Sequence, residues 1–413
     1  MSKESTTKDL RRRNRSRVLR AIVSHGETTR GTLAASLNLS LATVANVVTD
    51  LTLEGLVHEP GLLPSEGGRP AATLNVRPEG AYFVGADVGE AGVTVELFDL
   101  SLRTVSRVFR EVPSRSATPE DLSNALMAAV DEVIDKAGHP QYVHGIGLGV
   151  PGIVETQDAS GEIDGDSNIT IYAQSLNWPR TGLRDIYRRT DFPVFADNGA
   201  KTLAFAESWF GAAKGIDDGL IALLGRGIGL GIISGGRVLR GSASSAGEWG
   251  HTKVSIGGPL CNCGMRGCLE AYVGGSAIIR RWREAGSVPT GSDEELLAQL
   301  LSAASSGDAT ARRVVDETVE ILGLGLSNLV NIFNPSLIVL GGWAGLQLAD
   351  YGLSQISAST RQSSLDRPGG QFDLVSAEIG HDAVALGAAL LAVEDLIETP
   401  LTKSESALEL NAR

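Results

Sequence analysis

The chain has 413 residues, 42% hydrophobic and 21% charged, with mean hydropathy +0.04 and a formal net charge of -13. This excludes a disordered chain, a collagen-like repeat (the 50 glycines keep no triplet period) and, with no apolar run of about 18 residues, a membrane span. The Met1–Ser5 start has no apolar signal segment and all three cysteines fall between 261 and 268, so a cytoplasmic protein of two or three domains is expected.

Charge is spread unevenly. Residues 1–80 carry 11 Lys+Arg against 8 Asp+Glu, whereas the other 333 carry 25 against 41. An acidic body repels nucleic acid, so the basic head is the part able to approach phosphates; a solvated tail is the plain alternative. From Arg15 to Ser24, Val18, Leu19, Ile22 and Val23 share a helical stripe that Gly26 ends. Thr29 can cap a second helix with Leu33, Ala34 and Leu37 turned inward. After the turn Asn38-Leu39-Ser40, Ser40 caps a third helix whose Val44, Val47, Val48 and Leu51 recur at i, i+3, i+4 and i+7. Its outer face offers Thr43, Asn46 and Thr49 to a major groove.

Beyond Gly55, Leu56–Glu59 and Ala72–Val76 alternate as two strands around the tip Glu66-Gly67-Gly68-Arg69-Pro70. The order predicts a winged helix-turn-helix over residues 1–78. Arg69 would reach a phosphate or minor groove, and the cluster Arg11, Arg12, Arg13, Arg15 and Arg17 ahead of the first helix would supply phosphate contacts. With Ser40, Thr43 and Asn46 these are the expected contacts to double-stranded operator DNA. One winged helix binds modestly, so a homodimer or homotetramer on a pseudo-palindrome is expected. A three-helix unit without DNA function is the alternative.

After Pro78 the texture changes to strands and helices in two successive series. Tyr82–Gly89, Val93–Leu97, Val105–Phe109 and Gly145–Val150 are strands, with a helix over Leu122–Ala137; a second series begins near Val194 and includes Gly219–Leu224, Gly229–Ser234, long helices around 293–333 and Leu337–Gly342. This predicts an α/β fold duplicated into two lobes, 79–196 and 197–396, with a cleft between them and a flexible tail over 397–413. One large Rossmann-like sheet is the alternative, weakened by glycine-rich turns in both halves.

Motifs in family order then make the chain resemble the ROK family, its regulator branch in particular. They are Ala86-Asp87-Val88-Gly89, Gly147-Leu148-Gly149-Val150-Pro151-Gly152, Gly225-Arg226-Gly227-Ile228-Gly229, Glu248-Trp249-Gly250-His251, Cys261 to Glu270, and Asn331 to Pro335 with Gly341-Gly342. The resemblance implies an actin-like, hexokinase-like two-lobed fold with sugar, and in the kinases ATP, bound in the cleft. The expected sugar ligands are Asn198, Glu248, His251 and Glu270.

Cys261, Cys263 and Cys268 with His251 form H-x9-C-x-C-x4-C. Three thiolates and an imidazole complete a tetrahedral set for structural zinc, and clustered cysteines in a reducing compartment read as metal before disulfide; buried inert thiols are the alternative. That His251 is a ligand is implied by the resemblance. Its second ring nitrogen would then meet a ligand hydroxyl.

The ROK kinases are similar to one another in a Glu/Asp-Asn-Asp-Ala-Asn segment whose second acid takes the proton from the sugar hydroxyl. Here the segment is Asp197-Asn198-Gly199-Ala200-Lys201, which leaves Gly199 at the base position. The first phosphate loop carries Glu90, and the second carries Arg226, able to attract an anion or to fill the site by pairing. No catalytic residue is therefore assigned. The reading is a sugar-controlled repressor; the alternatives are a ROK sugar kinase with an appended DNA-binding domain and a repressor whose cleft binds nothing. Without an acid at 199 a hydroxymethyl group loses a partner, so a pentose or an altered sugar is expected to fit better than glucose.

Overall fold

Periodicity in the head yields α1 (Thr7–His25), β1 (Thr28–Thr29), α2 (Arg30–Leu37), α3 (Leu41–Leu53), β2 (Val57–His58), β3 (Leu62–Leu63) and β4 (Ala71–Val76). The structure, a computed structural model, describes residues 7–63, 71–89, 92–112, 118–156, 169–173, 178, 180–188, 192–287 and 290–399; Arg69, Glu90 and the tail from 400 onward lie outside them. Thr29 Oγ1 accepts from the Thr32 amide and Ser40 Oγ from the Thr43 amide, both at 3.1 Å, so both expected caps are made. Asn38, at φ 51°, turns the chain so that α2 and α3 meet at 119°, inside the range of helix-turn-helix pairs. Strand β4 pairs antiparallel with β1, β2 and β3.

The head departs from the sequence expectation in its arginines. Helix α1 starts at Thr7, so Arg11, Arg12 and Arg13 lie on it, exposed, and at about 100° per residue they fan around the axis. Arg15 is 6% exposed and turned inward. Its Nε bonds Glu54 at 3.1 Å, and Nη1 donates to the carbonyls of Leu396 and Ile397 at 3.2 and 3.0 Å. Arg17 donates to the Leu37 carbonyl. These two guanidiniums hold the head together and to the body, and are spent there instead of facing phosphate.

The first lobe contains β5 (Tyr82–Gly89), β6 (Gly92–Asp99), β7 (Thr104–Glu111), α4 (Pro119–Lys136), β8 (Val143–Val150), β9 (Ile153–Thr156), β10 (Ile169–Tyr172), β11 (Thr181–Gly182), α5 (Leu183–Ile186) and β12 (Val194–Asn198). The second runs through α6 (Gly199–Phe210), β13 (Gly219–Leu224), β14 (Ile228–Ser234), β15 (Arg237–Val238), α7 (Glu270–Val273), α8 (Gly275–Glu284), α9 (Asp293–Ser305), α10 (Ala309–Phe333), β16 (Leu337–Gly341), α11 (Gly342–Ser363, broken at Gly352), α12 (Asp366–Gly369) and β17 (Asp373–Ser376). Helix α13 (Ala383–Glu398) closes the described chain.

The two five-stranded sheets run β7-β6-β5-β8-β12 and β15-β14-β13-β16-β17. Numbered by appearance within each sheet, both read third, second, first, fourth, fifth. In both, the first three strands are antiparallel and the last two join in parallel. That is a duplication, and it excludes the single-sheet alternative.

A division after residue 196 falls inside β12, whose Asp197 and Asn198 pair with Gly149 and Val150 of the first sheet. Helix α13 likewise lies on the first lobe, against β5 and β8. It lies very close: a Cβ on Gly85 would sit 2.0 Å from the Ala385 carbonyl oxygen, and one on Gly147 1.7 Å from that of Ala388. On α13's side, a Cβ on Gly387 would sit 1.8 Å from the Thr202 carbonyl of α6. The far end of α13 then enters the head, where Leu390, Val393, Leu396 and Ile397 share one core with Val18, Leu19, Ile22, Phe83 and Trp209. Arg20 adds an ion pair to Glu394 and lies 5.2 Å over the Trp209 ring.

Replacing Arg15 by alanine leaves Glu54 and two main-chain carbonyls without their donor. Arg15→Ala is expected to cost about 2–4 kcal/mol, with the head melting ahead of the body in calorimetry. One transition at the wild-type temperature would show that the junction does not need this side chain.

Candidate functional site

The C-terminal ends of β5, β8, β12 and β16 converge on a cavity of about 510 Å³, where open α/β sheets bind ligands. Glycines at Gly149, Gly152, Gly225 and Gly227 form much of its wall and let backbone approach a ligand closely. Among the described residues no single helix is long and apolar enough to cross a membrane.

Three expected sugar ligands share one wall. The 3-10 turn Trp249–His251 follows Glu248, and α7 opens on Glu270 directly after the cysteine loop. The Glu248 carboxylate lies 4.0 Å from His251 Nε2, while His251 Nδ1 lies 3.8 Å from Cys261 Sγ. The imidazole thus presents one nitrogen to the cavity wall and the other to the thiols. Glu270 accepts from the Ile228 amide at 3.0 Å and from the Cys261 thiol at 3.4 Å. Burial pushes the Glu248 carboxyl above its usual range, partly offset by His251 and Lys201.

Asn198 lines the cavity, but its amide is engaged. Nδ2 donates to the Gly152 carbonyl at 2.7 Å and Oδ1 accepts from the Ala200 amide at 2.9 Å, capping α6. It shapes the wall as much as it offers a hydrogen bond. A Cβ on Gly199 would meet only Leu223 and Val384, at 3.7 and 3.8 Å, which is ordinary contact. The position therefore tolerates a Cβ and carries no proton acceptor.

His251, Cys261, Cys263 and Cys268 bring their ligand atoms within 4.8 Å of one another, a group able to hold a metal ion. Cys263 and Cys268 sulfurs are 3.7 Å apart, and Lys253 Nζ donates to Cys268 Sγ at 2.7 Å. The loop closes through Cys261 N to the Met265 carbonyl at 2.8 Å and through Gly267. Gly267 sits at φ 74°, where a Cβ would strike the Ser255 carbonyl at 1.8 Å, so only glycine closes the loop.

Other groups around the cavity stand outside the expected ligand set. Asp87, at the end of β5, has its pKa pushed up to about 6 by burial and by Asp382 at the start of α13. Arg107 of β7 reaches Asp382 at 2.9 Å and Glu96 at 3.5 Å. Below the cleft, Arg240 pairs with buried Asp197 at 2.7 Å, and Lys201, 2% exposed, donates to the Ser244 carbonyl. Arg226 is paired with Asp293 at 3.0 Å, the second of the two outcomes expected for it. Trp343, next to Gly341-Gly342 at the end of a wholly buried strand, lines the same region; its place at a strand end was the available signal.

Residues 83–395 match the sequence model of the ROK family. This chain belongs to the ROK family. The xylose repressor of Caldicellulosiruptor bescii is 29% identical over 404 residues, covering 95% of this chain and 98% of that one. NagC of Escherichia coli strain K12, a DNA-binding transcriptional dual regulator, is 30% identical over 335 residues and 80% of each chain. Among solved structures, a ROK family transcriptional regulator described as a homologue of the E. coli MLC protein matches with TM-score 0.76 and 25% identity over 94% of this chain and 97% of that one. A ROK glucokinase from Streptomyces griseus, in complex with glucose and AMPPNP, matches with TM-score 0.65 and 29% identity over 76% and 99%. The actin-like ROK body is thus common to regulators and kinases, and the two relatives named here that match over 94–95% of this chain are a repressor and a regulator.

The raised Asp87 pKa has a sign. The native ROK chain holds that proton up to about pH 6, whereas an unfolded Asp loses it near 4, so the stability tied to the proton is full below pH 4 and is lost as pH rises through 6. Asp87→Asn is therefore expected to gain on the order of 1–2 kcal/mol over wild type at pH 7 and little at pH 4, read from chemical denaturation at the two pH values. An equal difference at both would remove burial as the cause.

Proposed function

We propose that this ROK chain is a DNA-binding repressor of carbohydrate genes whose cleft binds a sugar without phosphorylating it. The observation that carries the reading is a cleft lined by Glu248, His251 and Glu270 together with Gly199, a position where a Cβ would meet only ordinary contacts and no carboxyl is present. Carboxylates and an imidazole suit vicinal hydroxyls, and phosphoryl transfer needs a positioned acceptor for the hydroxyl proton. The ROK kinase reading requires another base, and a coupled assay with ATP and common hexoses separates the two.

In this reading α3 enters the major groove with Ser40, Thr43 and Asn46 forward. The Ser40 and Thr43 hydroxyls lie 2.9 Å apart at the start of the helix, and Asn46 is exposed. Arg11, Arg12, Arg13 and Arg69 supply phosphate or minor-groove contacts, and a homodimer supplies two half-sites. The sugar ring held at this wall is a pentose. Gly199 offers nothing to a hydroxymethyl group, and a relative named for xylose supports the same sugar.

We assign zinc to the cluster. Three thiolates and one imidazole close a tetrahedron, and bonds of about 2.3 Å put neighbouring sulfurs about 3.8 Å apart, against 3.7 Å between Cys263 and Cys268. Bound there, zinc would act as a structural clasp. His251, Glu248 and Glu270 do the binding, oriented by the loop it closes. Ligand reaches the head through α13, whose first turn lines the cavity at Val384 and whose last turn holds α1.

The test is a mobility-shift titration of the full chain on its own promoter DNA with a sugar panel. Xylose is expected to change operator affinity at least about tenfold with no phosphate transferred; turnover of any hexose at an enzyme-like rate overturns the reading. Chelation, or Cys263→Ser, is expected to release about one equivalent of zinc per chain and abolish the sugar response while sugar-free DNA binding persists. Elemental analysis beside the shift assay checks this, and an intact sugar response in the metal-free protein would separate the cluster from the ligand wall.

A further inference from the structure

The cavity is larger than one sugar ring requires. A pentose or hexose ring displaces roughly half a dozen waters, or about 180 Å³ at about 30 Å³ each, against about 510 Å³ here. Its lining also divides into two chemistries. One end holds Glu248, His251 and Glu270. The other holds the Trp343 indole beside the Arg226–Asp293 pair.

The three-residue loop Gly225-Arg226-Gly227 joins the two ends. A Cβ on Gly227 would lie 2.5 Å from Glu270 Oε2, and one on Gly225 would lie 3.4 Å from Trp343 Nε1. Two residues of extended chain span at most about 7 Å, so the ends adjoin on the scale of two linked rings. Trp343 is itself braced, since a Cβ on Gly275 would strike its Cη2 at 2.4 Å. It is half-buried, which fixes the ring while leaving surface to the cavity.

Charge decides what can lie on that indole. The cavity is lined by Asp87, Glu248, Glu270, Asp293, Glu294 and Asp382, while Arg226 is neutralised by Asp293 and Arg107 by Asp382. Polyphosphate or a sugar phosphate would face repulsion from carboxylates with the guanidiniums already taken. A neutral polyhydroxylated ring meets no such cost. Its C–H face packs on the aromatic plane, and its hydroxyls donate to carboxylates; the Asp293 oxygen Oδ2 takes Arg226 and Ser276, and among the described residues Oδ1 accepts no hydrogen bond.

We propose that Trp343, with Asp293, forms a second carbohydrate subsite beside the Glu248/His251/Glu270 wall, so that the effector is an uncharged disaccharide or glycoside. This rests on the sugar-binding reading above and names its ligand class.

Calorimetric titration of the full chain tests it with paired probes: xylose and xylobiose, glucose and cellobiose, N-acetylglucosamine and chitobiose, together with xylose 5-phosphate, glucose 6-phosphate and ATP. At least one disaccharide is expected to bind about tenfold or more tighter than its own monosaccharide. Trp343→Ala is expected to bring that ratio to about one while the monosaccharide affinity stays within about threefold, and Trp343→Phe to keep most of the ratio, which separates a ring platform from a folding defect. A ratio near one in wild type, equal weakening of both sugars by Trp343→Ala, or tighter binding of ATP or a sugar phosphate overturns the second subsite alone. Binding of no carbohydrate at all overturns the repressor reading with it.

Discussion

Helix α13 is the element on which the remaining architecture depends. Its N-terminal end borders the cavity at Asp382 and Val384, its middle lies on the first sheet, and its C-terminal end completes the core of the N-terminal head. The head's helices do not close their core among themselves and gain a wall from Leu390, Val393, Leu396 and Ile397. Arg15 then fastens the junction by filling two carbonyls at the helix end, where a helix leaves its acceptors unpaired. The first lobe is consequently incomplete until almost the last residue of the chain is in place.

The cleft has its own organising constraint in His251. One imidazole belongs at once to the sulfur cluster and to the cavity wall, and Glu270 repeats the arrangement by bonding both Cys261 and the loop that carries Ile228. Whatever sets the cysteine loop therefore sets this part of the cavity wall. The excess of carboxylates around the cavity disfavours anions, while glycines leave main chain exposed along its wall.

What the sequence made legible was local. Thr29 and Ser40 announce their helices because a cap and its amide lie three residues apart. The sulfur cluster is legible because three of its members fall within eight residues. The sheet strands stand out as apolar runs broken by glycine. What escaped depends on distant partners. Arg15 looks like one more cation in a basic run, and only a contact 381 residues away gives it another use. The same holds for β12, whose pairing with β8 assigns it to the first sheet, and for Asp87 with Asp382. Asn198 caps α6 through the Ala200 amide two residues on, which local spacing encodes, whereas its bond to the Gly152 carbonyl spans 46 residues and does not show in the sequence.

The seat of α13 has a mechanical meaning. Where Gly85, Gly147 and Gly387 bring main chain against main chain, no side chains intervene to act as a cushion, and packed interfaces of this kind have few intermediate positions. Helix α13, the first sheet and α6 are consequently seated without slack, and the head is fastened to the far end of the same helix. An allele that adds a single methyl group at one of these glycines drives a carbon to within 1.7–2.0 Å of a carbonyl oxygen and forces α13 off its seat, so the disturbance arrives in the head's core although the altered atom lies outside it.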